Sequence, residues 1–133
     1  MSTSQPPIPQ GTAFNIERKQ GKAPSTVIFR LSGPFTARSM YGSLSPLGLR
    51  NMFNFQSTPG EELPLVNILD LTAVPYMDSS GLGMIVTHYV HCQGKGIRLV
   101  LTGVSPRVLE LFKMTKVDTT LPMSATVEEI DIP

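Results

Sequence analysis

Along this chain the apolar residues first alternate with polar ones, then run together, then recur every three or four positions, and each pattern predicts a different element. From Thr12 to Lys19 (TAFNIERK) Ala13 or Phe14 and Ile16 alternate with polar partners, which predicts a short edge strand before the turn QGKAPS. The stretch Ser25 to Gly33 (STVIFRLSG) sets Val27, Phe29 and Leu31 against Thr26, Ile28 and Arg30. It predicts a second strand in a hairpin with the first, and the apolar Ile28 implies partial cover on both faces. Leu63 to Thr72 (LPLVNILDLT) is nearly continuous in Leu65, Val66, Ile68, Leu69 and Leu71, the pattern of a central strand buried on both sides.

Helical spacing appears where these runs stop. SGLGMIVTHYVHCQGKG places Leu82, Ile85, Val86 and Tyr89 at i, i+3, i+4 and i+7 and ends at Gly94 and Gly96, predicting a helix of about three to four turns. A strand over Ile97 to Val104 follows, then a helix in SPRVLELFKMTKV with Ser105 as cap, Pro106 at the first helical position, and Val108, Leu111 and Phe112 as its buried stripe. DTTLPM supplies a last short strand and SATVEEI a last short helix. Between the second and third strands, Met40, Leu44, Leu47 and Phe53 fall near helical spacing, but Gly42, Pro46 and Gly48 oppose a continuous helix, so a broken or kinked one is expected. Alternating strands and helices require crossover connections and parallel pairing, so the fold class is α/β, with helices on at least one face of the sheet.

Composition narrows the function classes. The chain has 133 residues, 41% of them hydrophobic, enough for one domain with a real core. We expect a mobile tail over residues 1–12, rich in Ser, Thr, Gln and Pro, and a single domain over 13–133. Eleven basic and 10 acidic residues leave a net charge of +1, so no global field favours nucleic acid or an anionic membrane. The N-terminus lacks the basic and apolar regions of a secretory signal, and no apolar run reaches the length of a membrane span. With a single cysteine, Cys92, which forms no internal disulfide, these features imply a cytoplasmic protein.

Candidate chemistry concentrates at Tyr76 to Ile85, YMDSSGLGMI, at the junction between the central strand and the following helix. That junction lies on the rim formed by the carboxyl ends of the strands, where ligands and functional loops collect in such sheets. Asp78, Ser79 or Ser80 must cap the helix, whose first amides have no intrahelical acceptors. Capping does not account for Gly81 and Gly83, which cost helix propensity and admit something close to the first turn.

The strand LVNILDLTAVPYMD, the element SSGLGMI, the turn Gly-Lys-Gly, the strand IRLVLTGVSP and the helix RVLELFKMTKVD together resemble the STAS domain of bacterial anti-sigma factor antagonists, over about Leu65 to Val127. The resemblance implies a mixed sheet of about five strands with three to four helices packed mainly on one face. It also implies a binding module, not an enzyme, that sequesters an anti-sigma factor with serine kinase activity and is switched off when that kinase phosphorylates the serine after the aspartate, here Ser79. Asp78, Ser79, Ser80, Gly81, Leu82, Gly83 and Met84 are then the partner-binding residues. No cofactor, direct nucleic-acid contact or membrane insertion is implied, and the chain is expected to be a monomer or weak dimer. A different class of function, constitutive assembly in a signalling scaffold or a lipid-transport complex, uses the same rim without a switch. The chain departs from the family where an acidic turn is common after the second strand, having Gly33-Pro34-Phe35-Thr36 there, and it carries Lys116 where a glycine is usual.

Other constellations point elsewhere less strongly. His88, His91 and Cys92 stand at i, i+3 and i+4, but the histidines turn away from the apolar stripe, so solvated histidines beside a packed cysteine are expected in place of a metal site. Met84 shares that outward side as a candidate partner contact. A serine hydrolase is excluded by the missing Gly-x-Ser-x-Gly elbow, and Gly94 to Gly96 lacks the rest of a phosphate loop.

Overall fold

A computed structural model describes residues 13–56 and 59–133; the tail expected over 1–12 lies outside the described residues. Five strands form one sheet in the order β1-β2-β3-β4-β5: β1 Asn15–Gln20, β2 Thr26–Ser32, β3 Val66–Ala73, β4 Arg98–Thr102 and β5 Met123–Ser124. β1 and β2 form the expected antiparallel hairpin, and every later pair is parallel. Because consecutive parallel neighbours are joined by crossovers of one hand, the connecting helices gather on one face. These are α1 Ala37–Ser43, α2 Pro46–Arg50, α3 Ser79–Gly94 and α4 Pro106–Met114.

Strand alternation divides the sheet's side chains between two environments. Val27, Phe29, Leu31, Leu69, Leu71, Leu99 and Leu101 turn into the main core, together with Ile85, Val108 and Phe112 of the helices. On the other face Ile28, Ile68 and Val100 stand in one register row and are also buried. Asp131 ties the C-terminal segment to the β1–β2 turn by accepting from the amides of Lys22 (2.8 Å) and Ala23 (2.7 Å).

Several boundaries differ from the sequence reading. The central strand begins at Val66, not Leu63, and Leu63 and Leu65 are exposed, since Pro64 interrupts the ladder. The expected break between α1 and α2 falls at Leu44–Ser45, where Ser45 caps the second helix and Pro46 starts it. Leu47, which falls near helical spacing with Met40 and Leu44, is 65% exposed because the new helix restarts the phase. SATVEEI forms only a single 3-10 turn, Val127–Glu129.

β2 and β3 slip in register between the pairs Arg30↔Asp70 and Ser32↔Ala73, a bulge on β3. Bulges re-aim a strand's end and cluster beside functional sites. Asp70 holds this one, accepting from the Thr72 amide (3.1 Å) and the Thr72 hydroxyl (2.6 Å) while pairing with Arg30 (3.3 Å). Seven residues beyond Thr72, α3 begins.

Candidate functional site

The start of α3 is built by two chain segments running side by side. After β2, residues 33 to 37 follow the segment leaving β3: Gly33 donates to the Ala73 carbonyl (2.9 Å), Phe35 to that of Tyr76 (3.0 Å), and Asp78 back to Phe35 (3.3 Å). Phe35 is fully buried and stacks on Phe14 with ring centroids 4.9 Å apart, which fixes where its carbonyl points. That carbonyl lies against α3. A Cβ at Gly81 would sit 2.1 Å from the Phe35 oxygen, so only glycine admits the approach. Gly83 has nothing within 4 Å of its Cβ position and faces open space.

Asp78 is the cap, with extended backbone (φ −108°, ψ −173°). One carboxylate oxygen accepts from the amides of Ser80 (2.9 Å) and Gly81 (3.1 Å), the other from that of Ala37 (3.1 Å) at the start of α1. A single carboxylate therefore satisfies orphan amides of two helices. Of the three cap candidates Asp78 alone takes the cap, so Ser79 occupies the first position of α3. The side chains of Ser79 and Ser80 make no hydrogen bond among the described residues, and both residues are exposed. Of the other residues expected to form the partner surface, Gly83 is exposed, Asp78 and Met84 are half-buried, and Gly81 and Leu82 are buried beneath. On the neighbouring side the Arg107 guanidinium lies 4.5 Å over the Tyr76 ring, bracing the segment that leads into the cap against α4.

The buried side of α3 overturns one expectation. His88 is not solvated but 5% exposed, because residues 52–55 cover that side of the helix: its ring lies 4.4 Å from Phe53 and 5.3 Å from Phe55 between centroids. Asn67 in β3 donates through Nδ2 to the Val27 carbonyl (2.9 Å), leaving its Oδ1 to accept from His88 Nε2 at 2.7 Å. The proton of the neutral ring therefore resides on Nε2. Burial, aided by the charge of nearby His91, lowers the His88 pKa to about 4. Cys92 is packed as expected, and burial raises its thiol to about 11, with Lys95 acting in the opposite sense. A thiol so protonated is a poor nucleophile or metal ligand, and among the described residues no group of His, Cys, Asp and Glu could hold a metal ion. His91 is exposed, as read from the sequence.

Sequence reasoning missed Phe35, Asn67 and the burial of His88. A signal for the second existed: Asn67 and Asp70 interrupt an otherwise apolar strand, and a polar side chain in a strand buried on both faces needs an internal partner. Nothing local marked Phe35, whose role depends on a glycine 46 residues away.

Taken together, a mixed sheet with helices on one face and an exposed Ser-Ser pair at a carboxylate-capped helix start define an α/β domain with its candidate site on the rim of the sheet. The chain belongs to the STAS domain family, whose sequence model matches residues 17–130. It is 45% identical over 47 residues to the anti-sigma-B factor antagonist of Listeria monocytogenes, a match covering 35% of this chain and 41% of that protein. The matched region thus spans well under half the length of that curated relative. Its fold is similar to the crystal structure of an anti-sigma factor antagonist from Mycobacterium paratuberculosis, with a TM-score of 0.68 at 16% identity over 92% of this chain and 94% of that one. It is also similar to the Bacillus cell fate determinant SpoIIAA in its phosphorylated form, with a TM-score of 0.55 at 20% identity over 90% and 97% of the two chains. Among the described residues no helix is long and apolar enough to cross a membrane.

Proposed function

We propose that this chain is an anti-sigma factor antagonist: a cytoplasmic binding module, not an enzyme, that sequesters an anti-sigma factor with serine kinase activity and is released from it when Ser79 is phosphorylated. The observation that carries the reading is the division of labour at the start of α3, where Asp78 does the capping and Ser79 is exposed with no internal hydrogen bond. A kinase reaches such a hydroxyl without unfolding the domain. Phosphorylation adds about 1.5 to 2 negative charges at neutral pH, and the amide end of a 16-residue helix accommodates them. Asp78 lies beside the new charge, and a partner surface fitted to a neutral hydroxyl would have to bury an unpaired dianion. Binding is lost while the fold survives. The names of the similar proteins support the choice of partner.

The test is calorimetry with the purified cognate anti-sigma factor, preceded by mass spectrometry to locate the phosphate. Phosphate is expected on Ser79, and Ser79→Asp should keep the wild-type melting temperature yet lose at least tenfold in affinity, about 1.4 kcal/mol. Ser79→Ala should bind and resist phosphorylation. Phosphate on Ser80, or equal affinities for wild type and both variants, would overturn the switch and favour constitutive assembly through the same rim.

A further inference from the structure

A cavity of about 400 Å³ opens between α3 and the segment after α2, on the side of α3 where His88 is buried. Small-molecule sites run from about 300 to 1,000 Å³, so the volume is that of a ligand pocket. Its chemistry has two parts. The apolar part comes from Met52, Phe53, Phe55 and Met84, with the neutral His88 ring stacked on Phe53. The polar part carries two cations, Arg50 and Lys95, beside His91 and the neutral Asn51, Asn54, Gln56 and Thr87; Arg50, His91 and Lys95 are exposed, and no Asp or Glu is found among the described lining residues. Among the described residues none of these three groups is held in an ion pair, since the ion pairs present are Arg18 with Glu61 and Arg30 with Asp70.

The wall is also fixed in place. Arg18 of β1 donates through Nε to the Phe55 carbonyl at 3.1 Å and pairs with Glu61 at 3.7 Å, so the segment bearing Phe53 and Phe55 is tied to the sheet edge. Asn67 holds His88 from the opposite side. A tethered aromatic wall leaves the cavity formed before any ligand arrives, which lowers the ordering cost of binding.

From this juxtaposition we propose a second binding site, adjoining the Ser79 rim at Met84, that takes a small organic monoanion with an apolar body, the body against Phe53, Phe55 and Met84 and the anionic group at Arg50 and Lys95. One negative charge is specified because Lys95 stands at the carbonyl end of α3, whose partial negative charge offsets part of its own. The proposal does not depend on phosphorylation of Ser79.

Decanoate is a suitable probe, titrated into the full ¹⁵N-labelled chain, with decanol and decyltrimethylammonium as charge controls. Saturable one-site binding is expected, with amide shifts confined to residues 49–56 and 84–95 and with neither control competing. Arg50→Gln combined with Lys95→Gln should weaken binding at least tenfold. Thr87→Phe, at an exposed position lining the cavity, should fill the mouth and abolish binding with the melting temperature unchanged. Equal binding of decanol or the cation would reduce the site to an apolar patch and overturn the proposal. Shifts mapping elsewhere, indifference to both variants, or no binding at millimolar decanoate would do the same, the last leaving the cavity to a partner's side chain.

Discussion

α3 and α4 occupy equivalent places in the sheet, each following a parallel strand and each starting from a capping side chain, yet only one of them is built as a plain helix. At α4, Ser105 accepts from Val108 three residues on (3.2 Å), Pro106 fills the first position, and the buried face is Val108 and Phe112. At α3 the same offset from the cap is Gly81, whose missing side chain makes room for the Phe35 carbonyl, and the cap is a carboxylate that also serves α1. The first helical position there is an exposed serine with no structural task. At the next buried position the two are alike, Ile85 and Phe112, but α3 runs on beyond the length of α4 and its buried face there carries His88 and Cys92. The contrast separates what a helix start requires from what has been added to it: α4 meets the requirement with Ser and Pro, and everything extra at α3 is tied to other elements.

Adding or removing side-chain carbon at the equivalent third positions tests this most severely. Gly81→Ala drives a Cβ to 2.1 Å from a backbone oxygen that the buried Phe35 cannot withdraw, so a loss of about 3 kcal/mol or more is expected in denaturant unfolding. Val108→Ala should cost about 2 kcal/mol by the opposite mechanism, an emptied core position. A mild Gly81→Ala effect would mean that the two segments part easily and that the rim is not fixed by the core.

The caps should differ by a smaller margin. Ser105→Ala removes one bond to an amide and is expected to cost about 1 kcal/mol. Asp78→Ala removes three, one of them to α1, and should cost about 2 kcal/mol. Equal losses in chemical denaturation would reduce Asp78 to an ordinary cap.

The smallest effect lies at the other ends of the two helices. Both stop at a left-handed residue one beyond the last cap, Gly96 (φ 71°) after α3 and Lys116 (φ 61°) after α4. Lys116→Gly is expected to raise stability by about 1 kcal/mol, because a side chain in that conformation crowds its own carbonyl. A destabilised variant would show that the Lys116 side chain contributes contacts outweighing its strain.

What could be read directly was whatever depends on neighbours in sequence. Alternation in β2, the apolar run of β3, the Ser105-Pro106 start of α4 and the halt at Gly94 to Gly96 are local, and the α/β class, the parallel pairing and the strand-to-helix junction followed from them. The candidate rim was legible for the same reason, since a cap and its helix are contiguous. His88 was misread because a helical wheel ranks faces by their own apolar residues and is blind to a cover contributed from elsewhere. Phe53 and Phe55, more than 30 residues upstream, supply that cover, and Asn67 supplies the hydrogen bond that lets an imidazole stay inside.

The sequence by itself determined the order and type of the elements and the serine offered at the start of α3, because hydrogen-bond periodicity, capping and turn chemistry act over a few residues. Only the tertiary structure decided which glycine was indispensable, that one carboxylate would hold two helix starts, and that α3 would border an aromatic cavity with a cationic rim. Those depend on atoms brought together by the crossovers of the sheet, and close packing fixes their distances to a precision that no periodicity along the chain encodes.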